Sequence, residues 1–257
     1  FYPVKFDAER KDTVVYKGKT YVNKGEGRRP THELAIQLLR GKMSYPSIVY
    51  IDDQFKINPV PGYLTPDKIE PLLVYFVERI HRSAPYDDFK LAFAKVFRDK
   101  KSPDEKINWL SFDEALALNQ IEPRKIMINI YSKFNRGSEV MNKLTLTNPV
   151  IAKYINENFY AVKLEAESSD TIKVGERVFI NELKEPNYPH QLPIALLNGK
   201  MFYPTMVYLD EKSQVINKVN GYMLPSGIEP ILFYIGDNKY KTEKWEAFRQ
   251  TFQSKIE

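Results

Sequence analysis

Few residues in this chain have both the type and the spacing to do chemistry. Ser138 stands in Asn135-Arg-Gly-Ser138, at the head of a helical run, where a hydroxyl acts as a nucleophile only beside a base. The three histidines, His32, His81 and His190, lie far apart in sequence, and none is near Ser138. Capping of a helix is therefore the favoured role for this serine, ahead of catalysis. None of the histidines has the HxxxH or HxxE spacing of a metal site, so no metal centre is expected. His32 and His190 occupy the matched words Thr31-His-Glu-Leu34 and Pro189-His-Gln-Leu192, which favours a structural role beside a helix start. Glu165 and Glu167 share a face by period two. Asp7 and Glu9 repeat the pattern, which favours a solvated stripe over an acid/base pair. The 257 residues include no cysteine, which removes disulfides, thiolate nucleophiles, iron–sulfur clusters and cysteine-bound zinc together. No cofactor is implied.

Composition sets the frame around these residues. Hydrophobic residues make up 43% of the chain and mean hydropathy is −0.45, enough for a core and too little for a membrane protein. No apolar run reaches the roughly 18 residues of a membrane span, so no membrane insertion is expected. Lys and Arg exceed Asp and Glu by 38 to 33, with the signs interspersed. The densest basic stretch, Lys24-Gly-Glu-Gly-Arg-Arg-Pro30, reads as a solvated loop. No nucleic-acid module accompanies it.

The chain carries an internal copy of itself. Residues 1–52 match residues 159–210 at 22 positions without a gap, where chance gives about three. Both copies contain Gly-Lys-Met-x-Tyr-Pro, at Gly41–Pro46 and Gly199–Pro204, and the register resumes after a one-residue insertion with Gly62-Tyr63 on Gly221-Tyr222. Residues 107–158 precede the second copy and have no equivalent before the first. The predicted organisation is an incomplete unit at 1–97, a charged, proline-containing linker at 98–106, and a complete unit at 107–257.

Period and caps predict the elements. Phe1–Phe6 reads as a strand, Trp109–Phe112 as a short strand, and Asp113 as the cap of a helix over 114–118. Lys125–Tyr131 is a continuous apolar run of buried parallel-strand type. Asn148-Pro149 is an N-cap with proline at N1, opening a helix that leads into strand Phe159–Leu164. Lys17-Gly18 and Gly175-Glu176 are two-residue hairpin turns of types I′ and II′, and glycines 41 and 199 end helices. Strands Thr205–Leu209 and Val215–Val219 follow. Pro71 and Pro230 are expected in the first turn of a closing helix, where proline costs least.

This order, with an aromatic-proline turn before the last two strands, resembles the thioredoxin fold: an α/β mixed sheet flanked by helices. The resemblance rests on Ile128–Met141 and on Tyr203-Pro204. It extends through Thr147-Asn-Pro149 and Tyr154-Ile-Asn-Glu-Asn-Phe159 to most of residues 107–250. In that family a buried strand runs into Trp-Cys-x-x-Cys. Here Phe134 falls on the tryptophan, Asn135 and Ser138 on the two cysteines, and Arg136 and Gly137 between them. Asn129 falls where many members carry a buried aspartate. Tyr45-Pro46 and Tyr203-Pro204 fall on the cis-proline turn, whose backbone pairs with extended substrate in the family.

The resemblance thus implies a thioredoxin-like domain pair with a degenerate active turn that cannot exchange disulfides. The leading expectation is a non-catalytic module that binds a protein or extended peptide, or serves as a scaffold. One alternative is a fragment of a thiol-disulfide oxidoreductase whose Cys-x-x-Cys lies upstream. Another is a purely structural assembly component. The missing strand of the first unit is expected from an upstream segment or from a strand-swapped homo-oligomer. The family also points to a bacterial cell-envelope or periplasmic location.

Overall fold

The computed structural model describes residues 1–99, 106–183, 185 and 187–256. Of the linker expected at 98–106, residues 100–105 lie outside the described residues. The chain divides into two compact units, Phe1–Val77 and Glu78–Glu257, so the end of the first sequence copy is counted with the second unit.

The first unit holds two hairpins and two helices. Strands β1 (Val14–Tyr16) and β2 (Lys19–Tyr21) pair across Lys17-Gly18, both at positive φ as the tight turn requires. Helix α1 (Glu33–Leu38) follows, then β3 (Ser47–Ile51), β4 (Ile57–Pro61) and helix α2 (Pro66–Val77). Strand β3 pairs with β4 in a two-stranded antiparallel sheet. Tyr50 of β3 stacks on Phe76 of α2 at 4.3 Å, closing a small core with Tyr21, Leu34, Leu39, Leu72 and Tyr75. The strand expected at Phe1–Phe6 is not formed. A strand exists only as part of a ladder, and among the described residues no neighbour pairs with this segment.

The second unit begins with helix α3 (Tyr86–Phe97) and contains a five-stranded mixed sheet. Its strands are β5 (Trp109–Leu110), β6 (Lys125–Tyr131), β7 (Phe159–Glu165), β10 (Thr205–Leu209) and β11 (Val215–Asn220). The hairpin β8 (Ile172–Val174) and β9 (Arg177–Phe179) stands apart. Sheet order is β11-β10-β6-β7-β5, with β6 parallel to β7, β7 parallel to β5, and β10 antiparallel to both β6 and β11. That order and those directions are those of a thioredoxin-like α/β fold. Central β6 is buried along its length to Ile130, as its apolar run requires, and packs with Val162, Leu164, Val207 and Leu209.

The helices correct several boundaries. Ser111, rather than Asp113, caps α4 (Phe112–Ile121), because Ser111 and Glu114 form a reciprocal capping box. That box starts the helix at Phe112 and cuts the preceding strand to two residues. Asn148 caps α6 (Pro149–Asn158) by accepting from the N–H groups of Val150 and Ile151. Between them, α5 (Arg136–Val140) continues as a π-helical turn at Met141–Thr145. Pro71 and Pro230 lie inside α2 and α8 (Pro225–Gly236), not in their first turns. Those turns are taken by Pro66 and Pro225, which fill the position where a missing N–H costs nothing. Helices α7 (Gln191–Leu196) and α9 (Trp245–Thr251) complete the unit.

His32 and His190 are helix caps in the same detail. Each Nδ1 accepts from the N–H two residues on, Leu34 or Leu192, at 3.1 Å. Each Nε2 faces a backbone carbonyl, of Asp12 or Asp170.

Candidate functional site

Strand β6 delivers the turn over residues 132–138. After Tyr131 the chain bends through Ser132-Lys133-Phe134, with the N–H groups of Phe134 and Asn135 held by Ser132. Asn135 is the N-cap of α5, its Oδ1 accepting from Ser138 N–H at 2.7 Å. An amide at position 135 thus does the work of a cap. Ser138 is fully buried and its Oγ has no hydrogen-bond partner among the described residues. It neither caps the helix, as its position at the head of the run had promised, nor touches a base. Asn129, on β6, is equally buried and donates from Nδ2 to Asn142 Oδ1 at 2.7 Å. Phe134 projects outward, 54% exposed, with the Lys133 ammonium 5.5 Å from its ring centre.

The Tyr45-Pro46 and Tyr203-Pro204 peptide bonds are both cis. Thr205, next to Pro204, pairs with Ile130 of β6, so the proline turn lies beside the strand end that feeds the turn over residues 132–138. Tyr203 is partly buried, which raises its phenol above the ordinary range. Thr205 Oγ1 donates to Phe202 carbonyl at 2.7 Å and fixes the bend.

A residue that the sequence does not place at this turn joins it in the structure. Glu78 accepts from the backbone N–H of Arg136 at 2.9 Å and of Gly137 at 2.6 Å. Its carboxylate therefore sits on the first turn of α5, the place where helix N–H groups lower a thiol's pKa in a working Cys-x-x-Cys. A Cβ at Gly137 would lie 2.8 Å from Glu78 Oε2 and 3.2 Å from Ile80 Cδ1, so a larger residue there would displace the ends of those side chains. Burial is the largest influence on Glu78 and raises its pKa, outweighing the two N–H bonds and the Arg136 charge.

Neighbouring side chains close over the same surface. Arg136 lays its guanidinium on the Phe97 ring at 4.5 Å, and Arg79 lies 5.3 Å from the Phe202 ring centre. Ile80 is buried, and Phe89 of α3 meets Tyr222 edge-on at 5.5 Å. One clue to Glu78 existed in the sequence. In the repeat register Glu78 matches Asp237, so both copies place an acid just past a helix C-terminus, where the dipole disfavours it. Each has a compensating donor: Asp237 takes the Tyr154 hydroxyl at 2.6 Å.

Glu165 and Glu167 do not form a stripe. Strand β7 ends at Glu165, which pairs with Lys133 at 2.9 Å, and Glu167 lies in the following turn. Burial raises the Glu167 pKa, and its Oε2 is unpartnered among the described residues. No group of three or more His, Asp or Glu side chains among the described residues is arranged to hold a metal ion.

No family model matches the chain, and no curated protein matches it. Solved structures do. A thioredoxin from Thermus thermophilus is 17% identical over 51% of this chain and 87% of its own, with a TM-score of 0.40. A thioredoxin-fold protein from Helicobacter pylori is 19% identical over 62% and 92%, also at 0.40. The C-terminal domain of DsbD from Neisseria meningitidis, in its oxidised form, is 12% identical over 51% and 98%, at 0.32. The strand order and pairing register of the second unit are what define this chain's fold as thioredoxin-like α/β.

Proposed function

We propose that this chain is a non-catalytic pair of thioredoxin-like units that binds protein partners as a scaffold, its former active turn turned into an internal joint. The observation that carries this reading is the Glu78 carboxylate on the N–H groups of Arg136 and Gly137. With Asn135 and Ser138 at the thiol positions there is no electron-transfer group. With Glu78, Ile80 and Phe97 against the turn, the face that would hold an extended substrate is taken by the chain itself. The first copy, 1–97, is read as an incomplete unit and 107–257 as a complete one. A cell-envelope location fits the resemblance, and no helix among the described residues is long and apolar enough to cross a membrane.

The test is titration of the isotope-labelled chain with an unfolded, alkylated polypeptide, followed by NMR. Saturable shifts that leave the Arg136 and Gly137 amides unmoved are expected. Absence of any saturable shift would reduce the protein to a purely structural component.

A further inference from the structure

Glu167 stands where three segments of the second unit meet. It follows β7 by two residues, and the backbone beside it is pinned. Ala166 N–H donates to the Tyr131 carbonyl at 2.8 Å, and His190 N–H donates to the Ala166 carbonyl at 2.7 Å. The Ser132 hydroxyl bonds the Glu167 carboxyl group, and the same Ser132 oxygen accepts from Phe134 N–H at 3.1 Å. Tyr203, of the second cis-proline turn, lies near enough to feel a charge on Glu167.

The arrangement is that of an uncharged carboxyl group. Glu167 Oε2 is buried and has no hydrogen-bond partner among the described residues. A neutral carboxyl forgoes one weak bond there, whereas a carboxylate would leave half a charge without water or donor, at far greater cost. Lys133 instead pairs with Glu165 at 2.9 Å. Beside both acids lies a cavity of about 430 Å³, whose lining includes Lys133, Glu165, Glu167, Ser168, Asp170 and Asn181, and in which Lys133 is the one cation among the described residues. The Lys133 side chain is 53% exposed, so it can move without breaking a packed core. Its ammonium also lies 5.5 Å from the centre of the exposed Phe134 ring, so that any such move changes the charge beside this aromatic.

The charges facing Glu167 pull in both directions. Burial is the largest influence and raises its pKa; the Ser132 hydroxyl opposes this, Glu165 adds to it, and the Glu167 N–H and Lys133 oppose it more weakly. Asp170 and Glu185 also line the cavity and are exposed, with Asp170 Oδ2 accepting from the Ser168 hydroxyl at 2.7 Å. The His190 ring is taken up by Leu192 N–H and the Asp170 carbonyl.

We infer that Glu167 and Lys133 form a proton-operated switch: with Glu167 neutral the Lys133 ammonium rests on Glu165, and with Glu167 ionised it swings to Oε2 and off the Phe134 ring. The proton released goes to water. The switch is independent of the scaffold reading, and no partner is needed to see it. NMR of the labelled full chain from about pH 4 to 8 reads it through Lys133 Cε and the Phe134 ring and amide. These should move together in one step with a midpoint above 4.5, the ordinary glutamate value, while the amides of β6 stay in place. Glu167→Gln should abolish the step and hold Lys133 at its low-pH position. Glu165→Gln removes a repelling charge and frees the ammonium, so it should lower the midpoint; Lys133→Met should raise it. A step that survives Glu167→Gln belongs to another group, such as His190 or Glu165, and would overturn the inference. So would a midpoint at or below 4.5, or midpoints that move the same way in the Glu165 and Lys133 variants.

Discussion

Replacing Glu78 separates two effects that pull its carboxylate in opposite directions. Alanine removes the acceptor of both helix N–H groups. Arg136 N–H lies at an exposed position and turns to water, but Gly137 is buried, and its orphaned donor costs about 1–3 kcal/mol. Glutamine keeps the shape and one acceptor oxygen. Counting charge-assisted bonds alone would make the glutamine variant less stable at neutral pH. Burial argues otherwise, because it lifts the Glu78 pKa above the ordinary glutamate value of 4.5 despite both bonds. A carboxyl whose folded pKa is raised contributes stability that is fully present below 4.5 and is lost as pH rises through the folded value. The gap between wild type and Glu78→Gln therefore shrinks, and the variant gains on wild type, as pH goes from about 4 to 8. Urea unfolding of wild type, Glu78→Gln and Glu78→Ala across that range reads it directly, since the other carboxylates are common to all three. A gap that widens with pH would show that the helix N–H groups outweigh burial, and would refute this account of the joint.

Three further outcomes follow from the same geometry. Ser138→Ala deletes a buried hydroxyl with no partner among the described residues and should leave stability in urea unfolding unchanged or raised by up to about 1 kcal/mol; a loss larger than that would mean the hydroxyl is bonded in solution. Asn135→Cys/Ser138→Cys restores the motif but keeps the carboxylate on the helix turn, so the thiol introduced at position 135 should show a raised pKa in alkylation rates, and that pKa should fall when Glu78→Gln is added. Gly236→Ala drives a Cβ into the Tyr154 ring that stacks on Phe233, and should lower stability by about 1–3 kcal/mol in thermal melts, outweighing roughly 1 kcal/mol gained in helix propensity.

What the sequence made legible was what is decided locally. Asn148-Pro149, Lys17-Gly18 and the apolar run of β6 each specify their conformation within a few residues, and each forms as read. Errors came where two local signals competed. Ser111 outbid Asp113 because a reciprocal partner stood three residues on, and Pro225 and Pro66 claimed the first turns expected for Pro230 and Pro71. Phe1–Phe6 has the composition of a strand, yet a strand is a relation between segments, and no partner lies beside it among the described residues. Glu78 was illegible for a different reason: 58 residues separate it from Arg136, and nothing in either word announces the other.

The absence of cysteine and the Glu78 carboxylate bear on the same turn. A helix N-terminus that lowers a thiol's pKa does so by offering unpaired N–H groups to a developing anion. A carboxyl group already accepting from two of them occupies that position and, when ionised, would repel a thiolate beside it. A thiol placed on such a turn would ionise less readily, while a turn without cysteines accepts the carboxylate with no such conflict. At Gly137 a Cβ would meet the acid, 2.8 Å from Glu78 Oε2. Through Glu78, the N–H groups of Arg136 and Gly137 hold one part of the second unit to another.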